Sequence, residues 1–331
     1  MPRTEFIATA FHVPDRVVTN DDLARTMETS DEWIVQRSGI KTRHWVADGE
    51  TGTSLAKAAT LKALAKARMQ PRDLDCIVYC TCTPDHFEPG NGVFLQRDLG
   101  LTDIPALDVR NQCSGFVYGL SVADAWIRTG QYKRILLVGA EVHSRGLDKT
   151  TRGRDTAVLF GDGAGVAILG PTDDPSRGVL STHLFADGRY AEKLWVDGPG
   201  LAHDPYVSHE MLDRGLHRPF MEGREVFKSA SVLMPQSVTT ALASHKLTVQ
   251  DIRLLVPHQA NLRIIEMVGK AVGLREDQMF ANISKYGNTT AASIPIALDE
   301  ALDAGRLARG DLLILTSFGS GFTWGSAAIR W

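Results

Sequence analysis

The sequence predicts an α/β fold made of two similar halves. Strands and helices alternate along almost the whole chain, one order of elements occurs twice, and one helix is too apolar for a surface position. Asp75–Cys82, a helix, a strand, Cys113, an apolar helix and the strand Ile135–Gly139 recur as Arg253–Val256, a helix, a strand, Asn288, a helix and the strand Leu312–Thr316. Cys113 to Glu141 is 28 positions (141 − 113), and Asn288 to Thr316 is also 28 (316 − 288). Cys113 and Asn288 therefore fall at equivalent strand-to-helix junctions, which an approximate twofold would bring together at the centre. The halves are expected over residues 1–175 and 226–331, with 176–225 a variable excursion or lid between them.

Phe6–Ala10 reads as the first strand, and Thr19-Asn20-Asp21-Asp22 caps a helix reaching Met27. Ser30-Asp31-Glu32-Trp33 starts a second capped helix that ends near Ser38-Gly39. Thr53–Ala67 is an amphipathic helix with Leu55, Ala59, Leu61 and Leu64 inward. Pro71-Arg72-Asp73 turns into the strand Cys76–Cys82, and Phe94–Leu99 is helical. Ala106–Val109 is a short strand, followed by the apolar helix Gly115–Ile127, whose Ser114, Gly115, Gly119 and Ser121 allow close neighbours. Arg134–Gly139 is a strand, and Leu159–Leu169 reads as two strands around Gly161-Asp162-Gly163. That glycine pair lies between strands, so it is structural rather than a dinucleotide fingerprint. Residues 183–225 are polar and turn-rich and hold His183, His203, His209 and His217; these lack metal-ligand spacing, and a solvated lid is expected. Then come helix Glu225–Ala243, strand Ile252–Val256, helix Leu262–Val272, strand Ala281–Ile283, helix Ala291–Ala304, strand Leu312–Thr316 and a last strand Trp324–Trp331.

A chain of 331 residues can hold two core-bearing units. A net charge of −3 gives no general attraction to nucleic acid or anionic membrane. Cysteines at 76, 80, 82 and 113 form neither a disulfide framework nor a zinc pattern, so no metal is expected. The N-terminus has no long apolar core, and no run approaches the roughly 18 residues of a membrane span. A cytoplasmic location follows as the expectation.

Cys113 is the expected nucleophile. A thiol at the first turn of a buried helix feels the positive end of the helix dipole, which favours thiolate. Cys76, Cys80 and Cys82 read as small buried hydrophobes. Val256-Pro257-His258-Gln259-Ala260-Asn261 ends a strand on a histidine, either functional or bonded to a turn backbone. Tyr286-Gly287-Asn288-Thr289-Thr290 puts an amide at a helix start, where Asn also serves as an N-cap. Phe318-Gly319-Ser320-Gly321-Phe322 is a small-residue turn that lets backbone N–H groups approach a substrate oxygen. Cys, His, Asn and such a turn together suit acyl-thioester chemistry. A papain-like protease also orders Cys, His and Asn this way, but its cysteine-flanking signature is absent.

VRNQCSGFVYGL, VPHQANLR, KYGNTTAASIP and FGSGFTWGSA strongly resemble β-ketoacyl-acyl-carrier-protein synthase III of the thiolase superfamily, with SDEWIVQRSGI and LFGDGAG in the right order. The resemblance implies a five-layered αβαβα fold of two similar halves and a homodimer. It implies that Cys113 takes an acyl group from acyl-CoA, with the oxyanion held by the backbone N–H groups of Cys113 and Ser320, where the family usually has Gly. It implies that His258 and Asn288 stabilise the enolate left when a malonyl thioester, on acyl carrier protein or CoA, decarboxylates; this enolate attacks acyl-Cys113 to give a 3-oxoacyl thioester. No permanently bound cofactor is implied. By the same matching, Trp33 stacks on the adenine of CoA. Arg37 and Arg154 contact its phosphate end, with Arg152 a nearby substitute, and Asn261 lines the pantetheine tunnel. Arg263 and Lys270 resemble the basic patch that docks acyl carrier protein, or else form a solvated helix face.

The pattern departs from the family at Asp85-His86-Phe87-Glu88-Pro89. Glu88 stands where primer-selective members carry a Phe that caps the acyl pocket from the partner subunit. A Glu-Pro there resembles the head-to-head acyl-CoA condensing enzymes of olefin biosynthesis, whose Glu acts as base; a one-position shift returns Phe87 to the cap. The expectation is a substrate longer than acetyl. Head-to-head condensation of two acyl-CoAs, and acyl transfer in a secondary-metabolite pathway, remain the alternatives.

Overall fold

The computed structural model describes all 331 residues. Strands β1 (Arg3–His12), β2 (Cys76–Cys80), β3 (Ala106–Val109), β4 (Ile135–Glu141) and β5 (Gly163–Thr172) form one sheet in the order β1-β5-β4-β2-β3. Strands β6 (Gly178–Ala186), β7 (Ile252–Pro257), β8 (Leu312–Gly319) and β9 (Thr323–Arg330) form a second sheet in the order β7-β8-β9-β6. In the first sheet β4, β2 and β3 run parallel, and β5 and β1 follow beside them, each antiparallel to its neighbour; in the second the edge strand β7 is parallel to β8, and β9 and β6 follow antiparallel.

The alternation of apolar residues along these strands dictates the layers. In β2, Cys76, Val78 and Cys80 face one core while Ile77 and Tyr79 face another. In β8, Leu313 and Leu315 face the first core, and Leu312 and Ile314 point the opposite way. Helices α1 (Gly52–Ala67) and α2 (Asn91–Asp98) cover the outer face of the first sheet. Helices α4 (Gly223–Ser244) and α5 (Leu262–Val272) cover the outer face of the second. Between the sheets lie α3 (Gly115–Arg128) and α6 (Ser293–Asp303), apolar where they meet both, through Phe116, Leu120 and Ile127 and through Ile294, Leu298 and Ala301. Each large side chain buried there stabilises by about 1.5–3 kcal/mol. The result is five layers, αβαβα, as the resemblance implied.

Local signals explain the helix limits. Thr51 and Ser54 form a capping box for α1, and Asn261 caps α5, which Gly273 ends at φ 85°. Leu61, expected inward on α1, is exposed, and Ala63 takes the buried place.

Three other expectations are corrected. Residues 159–162 are not a strand: Phe160 makes a single bridge to Asn288, and β5 begins at Gly163. Ala281–Ile283 is not a strand either. Leu255 and Met279 make one isolated bridge where the second sheet would gain a fifth strand. Beyond it, the Asn282 N–H donates to Gln259 Oε1 and its Nδ2 to Glu300, so side chains take the place of a ladder. Conversely, Gly178–Ala186, assigned wholly to the 176–225 excursion, is a full edge strand paired with β9, and the excursion shrinks to 187–222, which carries a short helix, His209–Arg214. No helix is long and apolar enough to cross a membrane.

Candidate active site

The two junctions meet at the centre. A Cβ on Gly139 of β4 would lie 2.3 Å from the Ala291 carbonyl, so the segment after Asn288 runs directly over β4. From β3 the chain passes through Gln112, at φ 45°, into a single 3-10 turn, Gln112–Ser114, and then α3. Cys113 sits in that turn with 8% of its surface exposed. A Cβ on Gly319 would come within 2.8 Å of Cys113 Cβ, so the β8 end can approach only as glycine.

Burial, reinforced by the Glu141 charge, pushes the Cys113 thiol up to about 12. Opposing this, the backbone N–H groups of Cys113 and Ser320 and the Thr290 hydroxyl, all turned toward the sulfur, favour the thiolate. The expectation of a lowered thiol pKa is thus overturned: in so dry a site, loss of hydration outweighs the helix dipole. Ser320 is anchored by its own hydroxyl, which donates to the Leu194 carbonyl. Cys76 is pushed up to about 12 by burial, and Cys80 and Cys82 are also raised.

His258 follows β7, its N–H donating to the Thr316 carbonyl at 2.8 Å. It is buried, and burial, followed by the neighbouring His143, lowers its pKa to about 3, so the ring is neutral. Its Nδ1 lies 2.6 Å from Ser293 Oγ, which also accepts from the Gln259 N–H at 3.3 Å. With the hydroxyl hydrogen donated to Nδ1, the ring proton sits on Nε2, the tautomer that offers a donor to the cavity. Nε2 is buried and has no partner in the chain. Asn288 accepts on Oδ1 from the Thr290 N–H at 2.8 Å, which leaves Nδ2 as its open donor. Asn288 thus closes a local turn through Oδ1 rather than capping a helix, the N-cap of the following 3-10 turn being Thr289. Two N–H donors and one thiol are presented to the same space.

That space is a cavity of about 860 Å³ lined by Cys113, His258, Asn288 and Phe318 in its buried part and by Trp33, Arg37, Arg154, Asn261 and Arg263 nearer solvent. The Trp33 ring has Arg37 Cζ at 4.1 Å and Arg154 Cζ at 4.7 Å from its centroid. Asn261 holds the Arg37 carbonyl through Nδ2 at 2.8 Å. A second cavity, of about 610 Å³, shares Cys113, Phe160 and Leu194 with the first and extends past Phe87, Arg110, His143 and Thr290. The excursion helps wall both, through Leu194 and Met221 in the first and Trp195–Val196, Leu201 and His217 in the second.

Arg152 does not reach either cavity. Its Nε donates to Asp148 at 2.6 Å and its Nη1 to the Asp213 carbonyl, so an adjacent carboxylate draws it away. Lys270 is exposed two turns along α5 from Arg263 and lines neither cavity. Glu88 is exposed and lines neither cavity; Phe87 lines the second. Sequence reasoning missed Ser293, Thr290 and His143. Ser293, five residues past Asn288, was legible only as a helix residue, and His143 as one more residue after β4.

Cys82, Glu141 and His143 bring ligand-type atoms within 4.8 Å of one another. Their polar atoms serve one another's loops: the Glu141 carboxylate, raised to about 7 by burial, accepts from Thr81, Thr83 and Cys82, and His143 Nε2 meets Thr290 Oγ1 at 2.6 Å. Of the excursion histidines, His203 pairs with Asp197 at 3.1 Å, and the four do not converge.

Comparison with known proteins gives a consistent result. The model of 3-oxoacyl-[acyl-carrier-protein] synthase III matches residues 107–188, and that of its C-terminal part matches residues 242–331. The β-ketoacyl-[acyl-carrier-protein] synthase III of Rhodospirillum centenum is 46% identical, over 99% of both chains. The crystal structure of 3-oxoacyl-[acyl-carrier-protein] synthase III from Aquifex aeolicus superposes with a TM-score of 0.91 at 38% identity, covering 99% of this chain and 100% of that one. OleA from Xanthomonas campestris, at 18% identity and a TM-score of 0.86 over 100% of this chain and 98% of that one, shares the fold alone. Two family ranges, a relative 46% identical over 99% of both chains and a matching layered fold agree, and the chain belongs to the 3-oxoacyl-[acyl-carrier-protein] synthase III family.

Proposed function

We propose that the protein condenses an acyl-thioester with a malonyl thioester, with Cys113 as nucleophile. The observation that carries this is the convergence of Cys113, His258 and Asn288 on one cavity, with two backbone N–H groups on the sulfur. The thiol attacks the carbonyl of an acyl-CoA, the oxyanion forms against the N–H groups of Cys113 and Ser320, and the thiol proton ends on the departing CoA sulfur. A malonyl thioester then enters. His258 Nε2–H and Asn288 Nδ2–H donate to its carbonyl oxygen as carbon dioxide leaves, and their dipoles hold the enolate charge. The enolate carbon attacks acyl-Cys113, the C–S bond breaks, the sulfur recovers a proton, and a 3-oxoacyl thioester is released.

The outer half of the first cavity suits CoA: Trp33 for a base, Arg37 and Arg154 for its phosphates, Asn261 along the pantetheine arm. Arg263 and Lys270 would meet an acidic carrier protein, malonyl-ACP being the second substrate. The names of the relatives, the open Phe87 (68% exposed) and the family resemblance support a carrier-protein partner and a homodimer capped by Phe87. No permanently bound cofactor is required. The second cavity has room for acyl groups longer than acetyl. Glu88 as a base for head-to-head condensation has less support, because the residue beside the cavity is Phe87.

Cys113→Ala tests the reading directly. Intact mass after incubation with acyl-CoA should show an added acyl group on the native chain and none on the variant. Condensation product should require malonyl-carrier protein and release carbon dioxide. Product formed from two acyl-CoAs without that release would reverse the assignment.

A further inference from the structure

We propose that the second cavity selects acyl groups bearing a carboxylate at the end remote from the thioester, with Arg110 as the residue that recognises it. This rests on Cys113 being the acylated nucleophile. Eight of the 20 residues lining this cavity are hydrophobic, against 15 of 25 in the first, so it is not built as a plain hydrocarbon slot. Arg110 lies three residues before Cys113, is exposed, lines the cavity, and makes no hydrogen bond or ion pair within the chain. The carboxylates nearby are already engaged. Asp108 accepts from the Asn91 and Gly92 N–H groups, and Asp197 pairs with His203 at 3.1 Å.

His217 is a second, independent sign. It lines the same cavity, and its Nδ1 is buried without a hydrogen-bond partner. Burial, with Arg218 and Arg152 nearby, holds its pKa below the ordinary imidazole value, so it offers a neutral polar edge. An alkyl chain filling the cavity would press methylenes against the buried His217 Nδ1 and leave it unpaired, which is costly, and would leave Arg110 at the cavity wall without a partner. A carboxylate at the chain end supplies the missing acceptor, while Phe87, Phe160, Val196 and Leu201 line the methylene path. Loading is otherwise unchanged: the Cys113 S–C bond forms as the C–S bond to CoA breaks, and the proton leaves with the CoA thiol.

Acylation of the native chain and of Arg110→Gln by adipoyl-CoA and by hexanoyl-CoA, followed by intact mass over time, tests the proposal. The native chain should load adipoyl faster than hexanoyl, and R110Q should lower that ratio at least tenfold, with Arg110→Lys intermediate. Equal loading of the two by the native chain, or a ratio unmoved by R110Q, overturns the proposal and leaves the condensing reading intact. Failure to load any acyl-CoA overturns both.

Discussion

Ser293 decides what His258 can do. Its hydroxyl lies 2.6 Å from Nδ1, and donating there it places the ring proton on Nε2, where enolate stabilisation needs it. Removing the hydroxyl frees the ring to carry its proton on Nδ1, and an acceptor then faces the enolate. Ser293→Ala should therefore lower the condensation rate about 10- to 100-fold, less than the about 100- to 1,000-fold loss that removing a whole transition-state donor gives. Loading of Cys113 should change little, since no loading group is touched. Separate measurement of CoA release and 3-oxoacyl product distinguishes this from general damage, which would slow both. Cys113, His258 and Asn288 were legible because reactive side chains stood out at the junctions of apolar elements. Ser293 was not, since a serine inside a helix carries no local mark of its partner 35 residues earlier. The thiol's pKa also escaped, because a dipole can be read from one helix but dehydration only from the whole fold.

The central layer depends on glycine where a helix start presses on a strand. At Gly139 an added Cβ would meet the Ala291 carbonyl at 2.3 Å and the Ala292 nitrogen at 3.1 Å, both backbone atoms that no rotamer change can move. Gly139→Ala must push the Asn288–Ala292 segment off β4. The expected cost is about 1–3 kcal/mol, read by thermal or denaturant unfolding, together with a loss of condensation beyond that of loading as Asn288 shifts. A variant as stable and active as the native chain would show that the two junctions are not in contact. Most elements were legible from period and apolar runs, α1 from its amphipathic pattern and β2 and β4 from apolar stretches, whereas the caps Thr51, Ser54, Asn261 and Gly273 set limits that the period alone left open. Gly178–Ala186 was obscured because Ser181, Thr182 and His183 are polar and the strand lies at a sheet edge, half-covered. Arg152 and Arg154 could not be told apart, since only the fold shows that Asp148 claims the first.

Over the whole molecule, the dry centre sets how stability responds to acid. His143 and His258 are held neutral with pKa values lowered to about 3, whereas in the unfolded chain an imidazole titrates near 6.5. Below pH 6.5 the unfolded chain therefore binds two protons that the folded chain refuses, so stability falls with pH until about 3. Each histidine contributes a slope of up to about 1.4 kcal/mol per pH unit. Glu141 acts in the opposite sense: its pKa is raised from 4.5 to about 7, so the folded chain holds a proton that the unfolded chain has released. Between pH 6.5 and 4.5 one carboxyl offsets one of the two imidazoles, leaving a net loss of about 1.4 kcal/mol per unit; below 4.5 the offset ends and the loss approaches about 2.8 kcal/mol per unit. Unfolding free energies from denaturant titrations at steps from pH 7 to 4 should show that steepening. His143→Gln, which keeps a donor toward Thr290 but removes a titrating group, should flatten the limb by about 1.4 kcal/mol per unit throughout. An unchanged slope would mean that water reaches His143 and that the second cavity is wetter than its walls imply.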